Sequence, residues 1–288
     1  MVFDGLIPHK NVVFDGLIPH KNVVFDRLIP HKSVFFCSLI PHKNVKIVAK
    51  SFIISNFALY LKLWLMKRNI YKELKAWKEN PKHKPLVLLG ARQVGKTYII
   101  KEFGKNEFEN MVYVNCHNNR FAEGLFVDFN MDRIIYQLEQ ANEQRIFSGK
   151  TLLFFDEIQE YPEIATSLKF FDIDGRLDVI CSGSLLGINY KKIESNSVGY
   201  KTDFNMYSLD FEEFLWAKGY SDDVIDDILA HMKESKPFSE LEHSVFTAHF
   251  LDYCILGGMP AVVKEFIKNK TFEGTLDIQR QLIADYKE

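Results

Sequence analysis

The tightest constraint on this chain is eight residues long. Gly90, Ala91, Arg92, Gln93, Val94, Gly95, Lys96 and Thr97 spell G-x-x-x-x-G-K-T in full. The apolar run Pro85 to Leu89 precedes them and predicts a buried parallel strand. Tyr98, Ile99, Ile100 and Phe103 follow and predict a helix, with Gly104 as its stop. Each residue type has a reason to stand where it does. Gly90 allows the turn off the strand, and Gly95 lets the backbone approach a phosphate closely. Successive amides and the helix N-terminus then face the anion. Lys96 is expected to reach the β- and γ-phosphates of ATP, and the Thr97 hydroxyl to ligate Mg²⁺. The nucleotide-binding set therefore runs from Gly90 to Tyr98.

A second apolar run, Thr151 to Phe155, closes on Asp156 and Glu157. Carboxylates at the carboxyl end of a parallel strand lie where such sheets bind ligands. Asp156 is expected to hold Mg²⁺, and Glu157 to take a proton from the attacking water. That glutamate argues for a hydrolase over a small-molecule kinase, which needs no water-activating base. A third run, Leu177 to Cys181, ends in Ser182, Gly183 and Ser184; Ser182 is the candidate sensor of the γ-phosphate or the water. Met111 to Asn115 predicts a further strand, and Ile134, Ile135, Leu138 and Ala141 predict a connecting helix. Alternating strands and helices give an α/β fold with a parallel sheet.

Composition separates this part from what precedes it. The formal net charge of −2 sums two unlike pieces: residues 1–65 carry eight Lys/Arg and three Asp/Glu, and the remainder carries 28 and 35. An acidic remainder argues against strong non-specific contact with nucleic acid. The lysines at 72, 75, 78, 82 and 84 are read as a solvated face. Residues 1–44 are an eleven-residue tandem repeat in which every copy keeps Leu-Ile-Pro-His-Lys. Prolines 8, 19, 30 and 41 oppose a coiled coil. Histidines 9, 20, 31 and 42 lack neighbours at metal-ligand spacing. Near-identity of the copies is expected of a repeated DNA unit read in frame, so this segment is set aside as unfolded leader. Residues 45–65 are apolar, but Lys50 and Lys62 interrupt them, too closely for a membrane span. Met66 is the expected natural start. Four scattered cysteines form no CxxC pair, which fits a reducing cytoplasm.

The stretches LLGARQVGKTYIIKEFG, YVNCHNN, LLFFDEIQEYP, ICSGSLLG, MYSLDFEEFLWA and LGGMPAVV, in this order, resemble the prokaryotic AAA+ ATPases that carry an uncharacterised C-terminal domain, often thought nuclease-like. The resemblance covers about residues 66–288. It implies a P-loop ATPase core over 66–209, a helical lid over 210–250 and, over 251–288, the start of a truncated C-terminal domain. It also implies ATP held by Gly90 to Thr97, metal and water activation by Asp156 and Glu157, and sensing by Ser182. Neither Arg176 nor Lys201 is diagnostic as an arginine finger. A finger from a neighbouring subunit, and hence a homo-oligomer, is compatible with the pattern. The expected function is an ATP-hydrolysing module coupled to a protein partner or nucleic acid, without a membrane. The alternatives are a nucleotide-gated switch with little turnover and a degenerate gene product.

Overall fold

A computed structural model describes residues 66–117, 124–184 and 197–287. The repeats and the apolar leader, residues 1–65, lie outside the described residues.

The described chain opens with helix α1 (Ile70–Glu79), whose Ile70, Leu74 and Trp77 are buried at helical spacing. Strand β1 (Leu86–Gly90) follows, then α2 (Lys96–Glu107), β2 (Asn110–Asn115), α3 (Met131–Asn142), β3 (Thr151–Asp156), α4 (Pro162–Asp174), β4 (Asp178–Ser184) and β5 (Thr202–Met206). All five strands are parallel, in the order β2-β3-β4-β1-β5. This is the α/β P-loop class that the sequence predicts.

Every residue of β1 and of β3 is buried, which explains their unbroken apolar runs. Leu86, Leu88, Leu152, Phe154 and Ile180 pack with α1 and α2 on one face. Val87, Leu89, Leu153, Phe155 and Val179 pack with Ile134 and Leu138 of α3 and Ile164, Leu168 and Phe171 of α4 on the other. Alternation along each strand thus serves two cores.

Gly104 does not end α2, which runs three residues further, to Glu107. A Cβ at residue 104 would stand 2.4 Å from the Met111 sulfur. The glycine lets β2 pack closely onto the helix, a need of packing and not of termination.

Five more helices follow: α5 (Phe211–Lys218), α6 (Asp222–Lys233), α7 (Glu240–Leu256), α8 (Pro260–Asn269) and α9 (Thr275–Asp285). Capping boxes open α5 at Asp210 and Glu213 and α7 at Ser239 and Glu242. Leu209, Phe214, Leu256, Val262, Val263, Phe266 and Leu282 form one core. The expected lid boundary at 250 falls within α7, and residues on both sides of it contribute to that core. No helix among the described residues is long and apolar enough to cross a membrane.

Candidate nucleotide site

The site forms at the carboxyl ends of β3, β4 and β1. Because β4 stands between the other two, Asp156 and Gly90 flank its Ser182 to Ser184 segment. A side chain at residue 90 could not be accommodated: its Cβ would lie 2.3 Å from the Met206 carbonyl oxygen on β5. Gly95 has φ +100°, a left-handed value that disfavours any side chain. Gln93, also left-handed at φ +64°, supplies the other turn of the loop. Ala91 is half-buried, Arg92 and Gln93 are exposed, and Val94 is buried.

Lys96 is buried, and its Nζ donates to the carbonyls of Gly90 (2.9 Å) and Ala91 (2.7 Å). Burial pulls its ammonium below the usual lysine range; the charges of Glu157 and Asp156 oppose that. Tyr98 lies on the first turn of α2, and its phenol is pushed up to about 12 first by partial burial and then by Glu102.

Asp156 is the hub. Its carboxylate is buried and accepts from three hydroxyls: Thr97 Oγ1 at 2.9 Å and Tyr113 OH at 3.0 Å on Oδ2, and Ser182 Oγ on Oδ1. The Asp156 backbone carbonyl also accepts from the Cys116 amide at 2.9 Å. The structure therefore brings together Thr97 and Asp156, the two expected metal ligands. A hydroxyl beside a carboxylate is the hard oxygen donor set that suits Mg²⁺. With its glycines and buried lysine, the loop suits a polyphosphate.

Glu157 is half-buried and left-handed at φ +59°, capping a 3₁₀ turn over Ile158–Glu160. Its Oε2 accepts from the Gln159 side chain, whose Oε1 accepts from the Ser184 amide at 3.3 Å. Ser182 is fully buried with its hydroxyl committed to Asp156. Ser184 stands opposite Gly90, two residues nearer the end of the strand.

Arg176 pairs with Asp132 and Asp174, each at 2.8 Å, and Lys201 pairs with Asp203. Of the expected basic face, Lys75 pairs with Glu107 at 3.3 Å, Lys78 and Lys84 donate to backbone carbonyls, and Lys72 sits over the Trp216 ring.

Sequence reasoning missed Tyr113, Gln159 and Arg68. The strand bearing Tyr113 was legible, but its direction toward Asp156 depends on register. Gln159 is visible only as the second residue after Glu157. Arg68 sits under the loop, and its partners are far away in sequence.

No curated protein matches the chain. Several solved structures align with it at low identity. They include Drosophila ORC bound to DNA (12% identity, TM-score 0.39, 74% of this chain and 66% of that one). Replication initiator DnaA bound to AMPPCP and single-stranded DNA aligns at 15% identity and TM-score 0.41, over 75% of this chain and 65% of that one. Aeropyrum pernix ORC1 in complex with DNA aligns at 12% and 0.33, over 55% and 47%. The chain thus spans less than two thirds of each of these proteins. Residues 82–215, which contain all five strands, the phosphate loop and the acidic pair, match the family model of the AAA domain.

Proposed function

We propose that this chain is an ATP-binding, Mg²⁺-dependent ATP-hydrolysing AAA+-type module whose turnover is coupled to a protein partner or nucleic acid. The observation that carries this is the hydrogen bond from Thr97 to Asp156, which joins the phosphate loop to the acidic strand across 59 residues of sequence. Gly90 to Thr97 would cradle the phosphates through backbone amides, and the Lys96 ammonium would turn from the loop carbonyls toward them. Thr97 and Asp156 would hold Mg²⁺, which when bound supplies charge that neutralises the phosphoryl oxygens. Tyr113 and Ser182 orient the Asp156 carboxylate. In this reading Ser182 senses the nucleotide through Asp156, the group its hydroxyl touches. Glu157 takes the proton from water on a carboxylate oxygen. The acidic balance of residues 66–288 argues against strong non-specific contact with nucleic acid.

The test is phosphate release from ATP with and without Mg²⁺. Glu157→Gln should abolish release while ATP binding persists, and equal turnover in both proteins would overturn the assignment. A second reading is a nucleotide-gated switch with little turnover. The Gln159 amide on the Glu157 carboxylate favours it, because that contact occupies an oxygen that would otherwise face the water. Tight ATP binding without release in the wild type would select the switch.

A further inference from the structure

Outside the hydrolytic residues, a heavily engaged buried charge among the described residues is Arg68, just before α1. Its side chain is 5% exposed, as is that of Glu213 in α5. Nη1 donates to the Val94 carbonyl at 2.8 Å, and Nη2 to the Tyr207 carbonyl at 2.6 Å. Nε lies 3.1 Å from Glu213 Oε2, an ion pair without the alignment of a hydrogen bond. Glu213 is itself fixed: Oε1 accepts from the Asn69 amide at 2.6 Å and Oε2 from the Asp210 amide at 3.2 Å. One guanidinium thus touches the phosphate loop, the exit of β5 and the capping box of α5.

The Val94 carbonyl shares a planar peptide with the Gly95 N–H, and in a trans unit the two point in opposite directions. Holding the carbonyl toward Arg68 therefore aims the Gly95 amide to the opposite side of the loop from the guanidinium. A hydrogen bond to a cation also polarises that peptide, making the amide a stronger donor. Lysine cannot substitute, since it lacks the rigid fork that reaches two carbonyls and a carboxylate at once.

We propose that Arg68 is a positioning residue that aims the Gly95 amide at a bound phosphate and, through Glu213, couples nucleotide in the loop to helix α5. This rests on the ATP-binding reading above. A nucleotide that draws on the Gly95 amide shifts the Val94 carbonyl, and the guanidinium carries that shift to Glu213 and the first turn of α5.

The test uses the full chain with a fluorescent ATP analogue and Mg²⁺. Arg68→Lys should weaken binding about tenfold, the loss of one hydrogen bond to a charged group. Hydrogen exchange in residues 211–218 should change on nucleotide addition in the wild type. In Glu213→Gln, nucleotide should still bind but that change should vanish. A purely structural role predicts lower thermal midpoints with wild-type affinity and an intact response, and that result overturns the proposal. Should Arg68→Lys fail to fold, the response of Glu213→Gln decides. Absence of binding in the wild type would refute the ATP-binding reading itself, a result visible without any variant.

Discussion

The sheet half and the helical half of the described chain are built to different densities. In β1, β3 and β4 nearly every side chain is buried, and two cores share the strands by alternation. In α7, seventeen residues long and largely apolar, Leu256 is the buried residue, and in α6 it is Ile225. Phe250, Leu251 and Ile255 of α7 are all at least half exposed. The sheet holds Asp156 rigidly because its neighbours cannot move without opening a core. The helices are joined to it by separate polar contacts, among them Arg68 and the Asn69 amide with Glu213, Gln93 with Asp285 at 3.0 Å, and the Tyr286 hydroxyl on the Arg92 carbonyl. Chemistry is thus placed in the region that resists deformation, and the region that yields is tied to the phosphate loop.

The contrast breaks most visibly in the cores. Phe155 is almost fully buried, packed edge-on to Phe126 at 5.9 Å and tilted against Phe171 at 6.1 Å. Phe155→Ala should cost about 3–5 kcal/mol of unfolding free energy. Leu251→Ser in α7, at a site 57% exposed, should change it by no more than about 0.5 kcal/mol. Denaturant titration of the two variants checks the difference, and equal losses would show that the helical half is as tightly held as the sheet.

Within the site the expected effects are smaller and are read as function. Lys96→Ala removes the cation of the phosphate loop and should lower ATP affinity about a hundredfold, two hydrogen bonds to charged groups lost together. Tyr113→Phe deletes one donor to Asp156 and leaves the ring under Lys101, whose Nζ lies 3.5 Å from the ring centroid. Its phenol is pushed up to about 12, first by burial and then by Asp156, so it donates throughout the physiological range. The loss should be about 1 kcal/mol, seen as a several-fold weaker Mg²⁺ dependence of binding with little change in the absence of metal.

The phosphate loop, the acidic strand and the central strands were legible because each is a local signal. Gly90 and Gly95 answer backbone demands, and Leu86 to Leu89 and Leu152 to Phe155 are continuous because both faces are covered. Strand β5 was not legible: Thr-Asp-Phe-Asn-Met lies half exposed at the edge of the described sheet, paired there with β1, and lacks an apolar run. Gly104 read as a helix stop because propensity is local, whereas its neighbour Met111 comes from the next strand. The three hydroxyls on Asp156 come from three elements, and Arg68 meets Glu213 only through the tertiary fold. Register and tertiary approach decide these, and a single sequence does not display them.

The smallest expected effect separates the halves by sign. In the sheet half, His83 Nε2 lies 2.7 Å from Asp178 Oδ1. Its pKa is raised, first by that hydrogen bond and against the opposing effect of burial. In the helical half, His249 Nε2 lies 2.8 Å from the Tyr220 hydroxyl. Its pKa is lowered, first by burial and then by Lys218, with Asp252 opposing. A raised folded pKa means the folded state binds more protons. The His83 contribution is therefore complete below the unfolded value near 6.5 and is lost as pH rises through the folded value. For His249 the folded state binds fewer protons, so its contribution is complete above about 6.5 and is lost as pH falls through the folded value. The two slopes therefore differ in sign and lie on opposite sides of about pH 6.5. Thermal midpoints of His83→Gln should therefore lose the alkaline decline, and those of His249→Gln the acidic one. Identical pH profiles in the two variants would show that neither histidine titrates as its surroundings dictate.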